Sequence, residues 1–232
     1  FHPARINLAN LYRHLSDAAS AEREFRSLID QGDNSIQVIF GLGQSLSDQG
    51  EYEESELCFR QVEQAMPGDP NAMFYLGNVL WAQGKISEAE VCHRQSVAKM
   101  PEFHQAWNNL GNDLRDQGEQ QQALNCYRKA IELNPPYMQA HSNLLFELNC
   151  STTDGTALLE EHQRWDELHA KPLLQQLTFI NERSAQRQLR IGYVSSDFCN
   201  HSVAYFIEGV LKHHDAEQFE ISCYSNLLKP DA

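Results

Sequence analysis

HQAWNNLGNDLRDQGEQQQALNCYRKAIELNPPY, His104–Tyr137, is the stretch that decides the fold. Trp107, Leu110 and Leu114 recur at intervals of three and four, so they share one stripe of a helix. Gly111 and Ala123 are small where two helices must approach closely. Gly118 tolerates a positive φ and suits a turn. Pro135 cannot continue a helix and ends the second one. The stretch reads as helix, turn, helix, with Tyr127 and Ala130 on the second helix.

The unit recurs at a step of 34 residues: Leu42, Leu76, Leu110; Gly43, Gly77, Gly111; Gly50, Gly84, Gly118; Pro67, Pro101, Pro135. A worn copy covers His2 to Ser35 and keeps Leu8, Ala9, Tyr12, Ala21 and Phe25. Ser16 stands at its turn glycine and Asp33 at its terminal proline. After Tyr137 one more first helix begins, MQAHSNLLFELN, with Leu144 and Leu148 in register. Then the period stops. This period and spacing identify tetratricopeptide repeats. Residues 1–149 are expected to form about four repeats plus one extra helix, an α-solenoid in which stacked neighbours stabilise one another.

Composition bounds the function. The 232 residues are 41% hydrophobic, without an apolar run long enough to span a bilayer. FHPARINLAN has no apolar core of a secretory signal. It begins without Met and in mid-pattern, which suggests that the natural N-terminus lies further upstream. The net charge of −14 is spread along the chain, with 11 Lys/Arg against 20 Asp/Glu through Cys150 and 7 against 12 beyond it. That argues against a nucleic-acid phosphate backbone and against an anionic membrane surface. Cys58, Cys92 and Cys126 fill one slot in three successive repeats. Adjacent packed axes are already roughly 8–10 Å apart, too far for these thiols to bridge. They are read as small buried residues. Cys150, Cys199 and Cys223 have no zinc spacing. A reducing compartment, the cytoplasm, is expected.

The first helices of the repeats are expected to line a groove. Asn7, Asn109 and Asn143 each precede a stripe leucine, and Asn10, Asn78 and Asn112, with Gln44, lie three residues further on. Asparagine is a mediocre helix former, so its recurrence on one face asks for a reason. One reading is a ladder of amides that binds the backbone of an extended peptide. The other is polar filler, or helix-to-helix bonds within the stack. Gly41 and Tyr75 interrupt the ladder.

Beyond Cys150 the pattern changes. Ser151 to Gly155 is a turn cluster. Thr156 to Ala170 reads as a helix ended by Lys171-Pro172, and residues 150–188 as a whole as a helical connector. LRIGYVS from Leu189 is a short strand. Val203, Phe206, Ile207, Val210 and Leu211 mark an amphipathic helix over Ser202 to His213. Phe219, Ile221 and Cys223 alternate as a second strand. Strand, helix, strand implies parallel pairing and the start of an α/β domain over residues 189–232.

The loop SSDFCNHS, Ser195 to Ser202, follows the carboxyl end of the first strand, where ligands bind in open α/β sheets. His201 lies at the helix N-terminus, whose dipole disfavours imidazolium, so its ring can accept a proton. A structural histidine bonded to the loop is the alternative. His213-His214 lacks a third ligand for a metal. No dinucleotide, nucleophile-elbow or phosphate-loop motif is present.

RIGYVSSDFCNHSVAYFIEGVLKHHD with FEISCYSN resembles the start of the catalytic region of the protein O-linked N-acetylglucosamine transferase family, bacterial type. HSNLLFELN and the segment Glu161 to Trp165 resemble that family's junction between repeats and enzyme. The resemblance implies repeats that bind acceptor proteins with Ser or Thr, followed by a Rossmann-like glycosyltransferase-B lobe. It implies inverting transfer of N-acetylglucosamine from UDP-N-acetylglucosamine as co-substrate, with neither metal nor cofactor. His201 matches the family's active-site histidine; Ser202 departs from the proline of animal members. Relatives use other donors, such as GDP-fucose. A non-catalytic repeat scaffold is the alternative function, and the residues given are expected to be inactive by themselves.

Overall fold

The computed structural model describes residues 2–151, 153–174, 187–199 and 202–225. The chain divides into two compact units, residues 1–177 and 178–232.

The first unit is a row of helical hairpins: α1 (His2–His14) with α2 (Ala18–Asp30), α3 (Ile36–Gln49) with α4 (Tyr52–Ala65), α5 (Pro70–Ala82) with α6 (Ile86–Lys99), and α7 (His104–Asp116) with α8 (Gln120–Leu133). Then comes α9 (Met138–Ser151). Each second helix also packs on the next first helix, and the first helices α1, α3, α5 and α7 touch in succession.

The 34-residue period is visible in the turns. Gly50, Gly84 and Gly118 take φ of 84°, 78° and 83°, in the left-handed region. Ser16 takes φ 60° at the same place, the one non-glycine with positive φ among the described residues. In all four turns the next residue's N–H reaches back five residues: Asp17 to Tyr12, Glu51 to Leu46, Lys85 to Leu80 and Glu119 to Leu114, at 2.8–2.9 Å. That bond satisfies a carbonyl the helix end would leave orphaned.

Close packing explains the other repeated glycines. Each first helix meets a large side chain from its own second helix: Phe59 at Gly43, His93 at Gly77, Tyr127 at Gly111. A Cβ at Gly111 would stand 2.5 Å from the Tyr127 ring, and one at Gly77 2.6 Å from the His93 ring. Phe25, Phe59, His93 and Tyr127 are one slot at the 34-residue step, and all are buried. Gly41, which interrupts the amide series, is held against the Phe25 ring, where its Cβ would stand 2.3 Å away. Tyr75, the other interruption, stacks on Phe59 at 5.6 Å and meets Phe40 edge-on. Both interruptions therefore serve core packing.

After α9 the chain runs through α10 (Gly155–Trp165), a π-helical turn (Asp166–Ala170) and α11 (Lys171–Leu174). Asp154 caps α10 by accepting from the N–H groups of Thr156 and Ala157. Here the structure corrects the sequence reading: Lys171-Pro172 does not end the helix. Pro172 lies within α11, which continues the π-helical turn without a break. The π-helical turn lies beside His141 of α9, which is fully buried. His141 Nε2 lies 2.7 Å from Glu161 Oε1, and its Nδ1 lies 3.3 Å from His169 Nε2. Burial lowers the affinity of His141 for a second proton, against the pull of Glu161. The conspicuous Glu161 to Trp165 segment is thus tied to the last repeat helix through its first residue.

The second unit holds β1 (Leu189–Val194), α12 (Ser202–Lys212) and β2 (Phe219–Tyr224). The strands pair in parallel, from Leu189 opposite Phe219 to Val194 opposite Tyr224. This is the expected strand, helix, strand order. No described residue of this unit is buried, and Phe206 is 82% exposed.

Candidate functional site

The asparagines on the first helices of the third and fourth repeats converge. Asn78 on α5 and Asn109 and Asn112 on α7 line one cavity of about 300 Å³, with Ser47, Tyr52, Trp81, His93 and Asp113. The helical step of three to four residues puts Asn109 and Asn112 on one face, and the repeat step brings Asn78 beside them. Trp81 is 42% exposed and is anchored by its Nε1–H, which donates to Asp116 Oδ2 at 2.8 Å.

The amides form a directed chain. Asn143 on α9 donates to Asn108 Oδ1 at 2.9 Å and to Asn112 Oδ1 at 3.2 Å. Asn108 donates to Asn109 Oδ1 at 3.0 Å, and Asn109 donates to Asn78 Oδ1 at 2.6 Å. Asn78 Oδ1 also lies 3.0 Å from His93 Nε2, and Asn112 Oδ1 accepts from the Tyr127 hydroxyl at 3.0 Å. Helix-to-helix bonding, weighed from sequence as an alternative to peptide binding, is therefore present. Asn78 and Asn112, whose side-chain oxygens take part in these bonds, both line the cavity.

Beneath the amides lies a buried acid–base pair. His93 Nδ1 meets Asp113 Oδ2 at 2.5 Å, with each side chain 1% exposed. Burial raises the Asp113 carboxyl above the ordinary range, opposed by the His93 ring. Asp113 Oδ1 has no hydrogen-bond partner among the described residues. Burial also holds the Tyr127 phenol well above its ordinary range, so it remains a donor.

Other expected site residues lie apart or outside. Asn7 and Asn10 sit on α1, exposed and half-buried, without a hydrogen bond to this network. Gln44 instead accepts from Arg13. His201 lies outside the described residues, as does Asn200. The loop before them is anchored at Ser195, whose N–H donates to Tyr224 O at 3.0 Å. A cavity of about 480 Å³ opens beside that loop, lined by Phe198, Cys199, Tyr205, Glu208, Leu211 and Cys223 among others. Of the histidine pair, His214 meets the Tyr193 hydroxyl at 2.8 Å and His213 the Gly209 carbonyl at 2.7 Å. Among the described residues no three His, Cys, Asp or Glu side chains are grouped to hold a metal ion.

Sequence reasoning missed Asn108, His93, Asp113 and the hydroxyl of Tyr127. The signal was there for one of them. His93 stands in a slot otherwise held by Phe25, Phe59 and Tyr127, whereas the slot of Asp113 also holds Ser45 and Glu147 and gives no such contrast. A polar residue in an apolar slot of a repeat needs a partner.

Residues 134–232 match glycosyl transferase family 41, and residues 104–137 and 40–92 match tetratricopeptide repeat families. The chain thus joins residues that match tetratricopeptide repeats to a segment that matches glycosyl transferase family 41. Over 75 residues it is 41% identical to an Oryza sativa subsp. japonica protein named "Probable UDP-N-acetylglucosamine--peptide N-acetylglucosaminyltransferase SPINDLY". That alignment covers 32% of this chain and 8% of the rice protein. A mutant O-GlcNAc transferase from Thermobaculum terrenum superposes with TM-score 0.64 at 31% identity, over 85% of this chain and 38% of that one. MamA from Desulfovibrio magneticus RS-1 superposes with TM-score 0.63 at 20% identity, over 72% of this chain and 94% of that one. That last likeness is one of fold. The family 41 match starts at residue 134, so it includes α9, His141 and Glu161 as well as the strand–helix–strand unit. No helix among the described residues is long and apolar enough to cross a membrane.

Proposed function

We propose that this chain carries the acceptor-binding repeats and the opening of the catalytic lobe of a protein O-glycosyltransferase. The enzyme transfers N-acetylglucosamine from UDP-N-acetylglucosamine to Ser or Thr of protein acceptors. The observation that carries the reading is the continuity of two features. An amide-lined groove lies in repeats that run directly into a family 41 segment. The donor is the one in the printed names of the SPINDLY relatives. Residues 1–149 serve as the acceptor-binding domain, 150–188 as connector and 189–232 as part of the catalytic lobe.

In this reading an extended acceptor lies along α5, α7 and α9, held by side-chain amides that bond its backbone. Such bonding is indifferent to acceptor side chains, which suits an enzyme with many protein substrates. His201 follows the carboxyl end of β1 and acts as base or as a contact to the reacting groups. The exposed apolar side of α12, with Phe206 and Val210, is a surface for further packing within a larger α/β lobe. Buried thiols in the repeats suit the cytoplasm.

The test is transfer of labelled N-acetylglucosamine to a Ser/Thr peptide by the protein that carries this chain, beside a parallel assay with GDP-fucose. His201→Ala is expected to lower turnover roughly 10²–10⁴-fold while leaving thermal stability unchanged. Transfer from GDP-fucose alone would reassign the donor. A fall in turnover of less than about threefold would make His201 a loop-bonding residue.

A further inference from the structure

The amide chain in the groove has two ends, and each is a core residue. Asn78 and His93 are 15 residues apart, as are Asn112 and Tyr127, and the two pairs are one repeat apart. In each pair a side chain on the second helix reaches through the repeat to the amide oxygen of an asparagine on the first. The two preceding repeats have Phe25 and Phe59 in that slot, which offer no hydrogen.

A primary amide can face either way, and its neighbours follow, because each amide in the chain bonds the next. At both ends the core residue meets an amide oxygen. Tyr127 donates to Asn112 Oδ1, which also takes a hydrogen from Asn143. Asn78 Oδ1 takes a hydrogen from Asn109, so His93 Nε2 must also donate to it. His93 Nδ1 is meanwhile occupied by Asp113 Oδ2, which holds the ring in place. Each carbonyl oxygen has two lone pairs, so both oxygens are filled. The NH₂ groups of Asn78 and Asn112 remain, and both residues line the cavity.

We propose that His93 and Tyr127 determine the specificity of the groove by fixing Asn78 and Asn112 with their NH₂ groups outward, so that this part of the groove binds peptide carbonyls. The proposal rests on the reading of the groove as a peptide site. Asp113 is a positioning residue that acts through His93. The first two repeats have Phe25 and Phe59 in the slot, so Asn10 receives no hydrogen from it, and Gln44 Oε1 accepts from Arg13 instead.

The repeats themselves supply the test. His93→Phe with Asp113→Val places at each position a residue that a preceding repeat already uses there: Phe59 at one, Val79 at the other. His93→Tyr with Asp113→Val differs from it by one hydroxyl and reproduces the Tyr127 arrangement. Both variants of the full chain are titrated calorimetrically with an acetylated, amidated octapeptide of alternating Thr and Ala, with helicity followed by circular dichroism. The tyrosine variant is expected to bind like the unmodified chain, and the phenylalanine variant about tenfold more weakly, as for one hydrogen bond. Tyr127→Phe is expected to show the same loss. Equal binding by the tyrosine and phenylalanine variants, with helicity intact, overturns the proposal. If the unmodified chain does not bind the peptide, the peptide reading fails, and side-chain amide NMR decides the orientation by itself. Asn78 NH₂ signals that differ between the two variants support the fixed amide; identical signals overturn it.

Discussion

Asn78 Oδ1 lies 3.0 Å from His93 Nε2, and 34 residues on, Asn112 Oδ1 lies 3.0 Å from the Tyr127 hydroxyl. The same slot of the repeat thus packs the core with its ring and reaches the groove with its polar atom. That slot couples what holds the solenoid together to what the groove can bind. The adjacent glycines make it possible, because Gly77 and Gly111 give these rings room.

Gly111→Ala should destabilise the repeats even though alanine is the better helix former by about 1 kcal/mol. The new Cβ would stand 2.5 Å from the Tyr127 ring, which is fully buried and has nowhere to retreat. A net loss of roughly 1–3 kcal/mol is expected in urea denaturation. Gly209→Ala in α12, where nothing lies within 4 Å, should show no such loss. Equal effects at the two positions would mean that the close approach is not what selects glycine.

Ser16→Gly should stabilise the first repeat. Ser16 holds φ 60° where three later repeats use glycine. A side chain in the left-handed region costs roughly 1–2 kcal/mol, and the greater freedom of unfolded glycine offsets part of the relief. Slower amide exchange in α1 and α2 is the expected readout. Faster exchange there would show that Ser16 is held without strain.

Cys58, Cys92 and Cys126 should resist alkylation in the folded protein. Burial pushes each thiol up to about 11. Iodoacetamide at mildly alkaline pH should label the exposed Cys150 and Cys223 and spare those three until the repeats unfold. The folded state holds these protons more tightly than the unfolded one. The stability they contribute is therefore complete below pH 9 and is lost as pH rises through about 11. Equal labelling of all five by mass spectrometry, or a midpoint that does not fall between those pH values, would contradict this burial.

Much of the fold was legible because its signals are repeated. Each turn glycine, stripe leucine and close-approach glycine has a copy 34 residues away, so weak local preferences add. The strand, helix and strand of the second unit were legible from their periods of two and three to four. The π-helical turn at Asp166–Ala170 was not, because its partner is His141, far away in sequence. The groove was half legible. Recurring asparagines marked the face, but their bonds to one another and to His93 depend on three-dimensional packing. The residues that orient them look, in sequence, like core aromatics and their neighbours.

If, as proposed, the groove presents acceptor chains to a transferase site, combining Asn78→Ala with Asn112→Ala changes the acceptor kinetics of the protein carrying this chain. The acceptor KM is expected to rise roughly tenfold or more, as for the loss of one or two hydrogen bonds, while the KM for UDP-N-acetylglucosamine stays unchanged. An unchanged acceptor KM with helicity intact, or no transfer of N-acetylglucosamine by the unmodified protein, would contradict it.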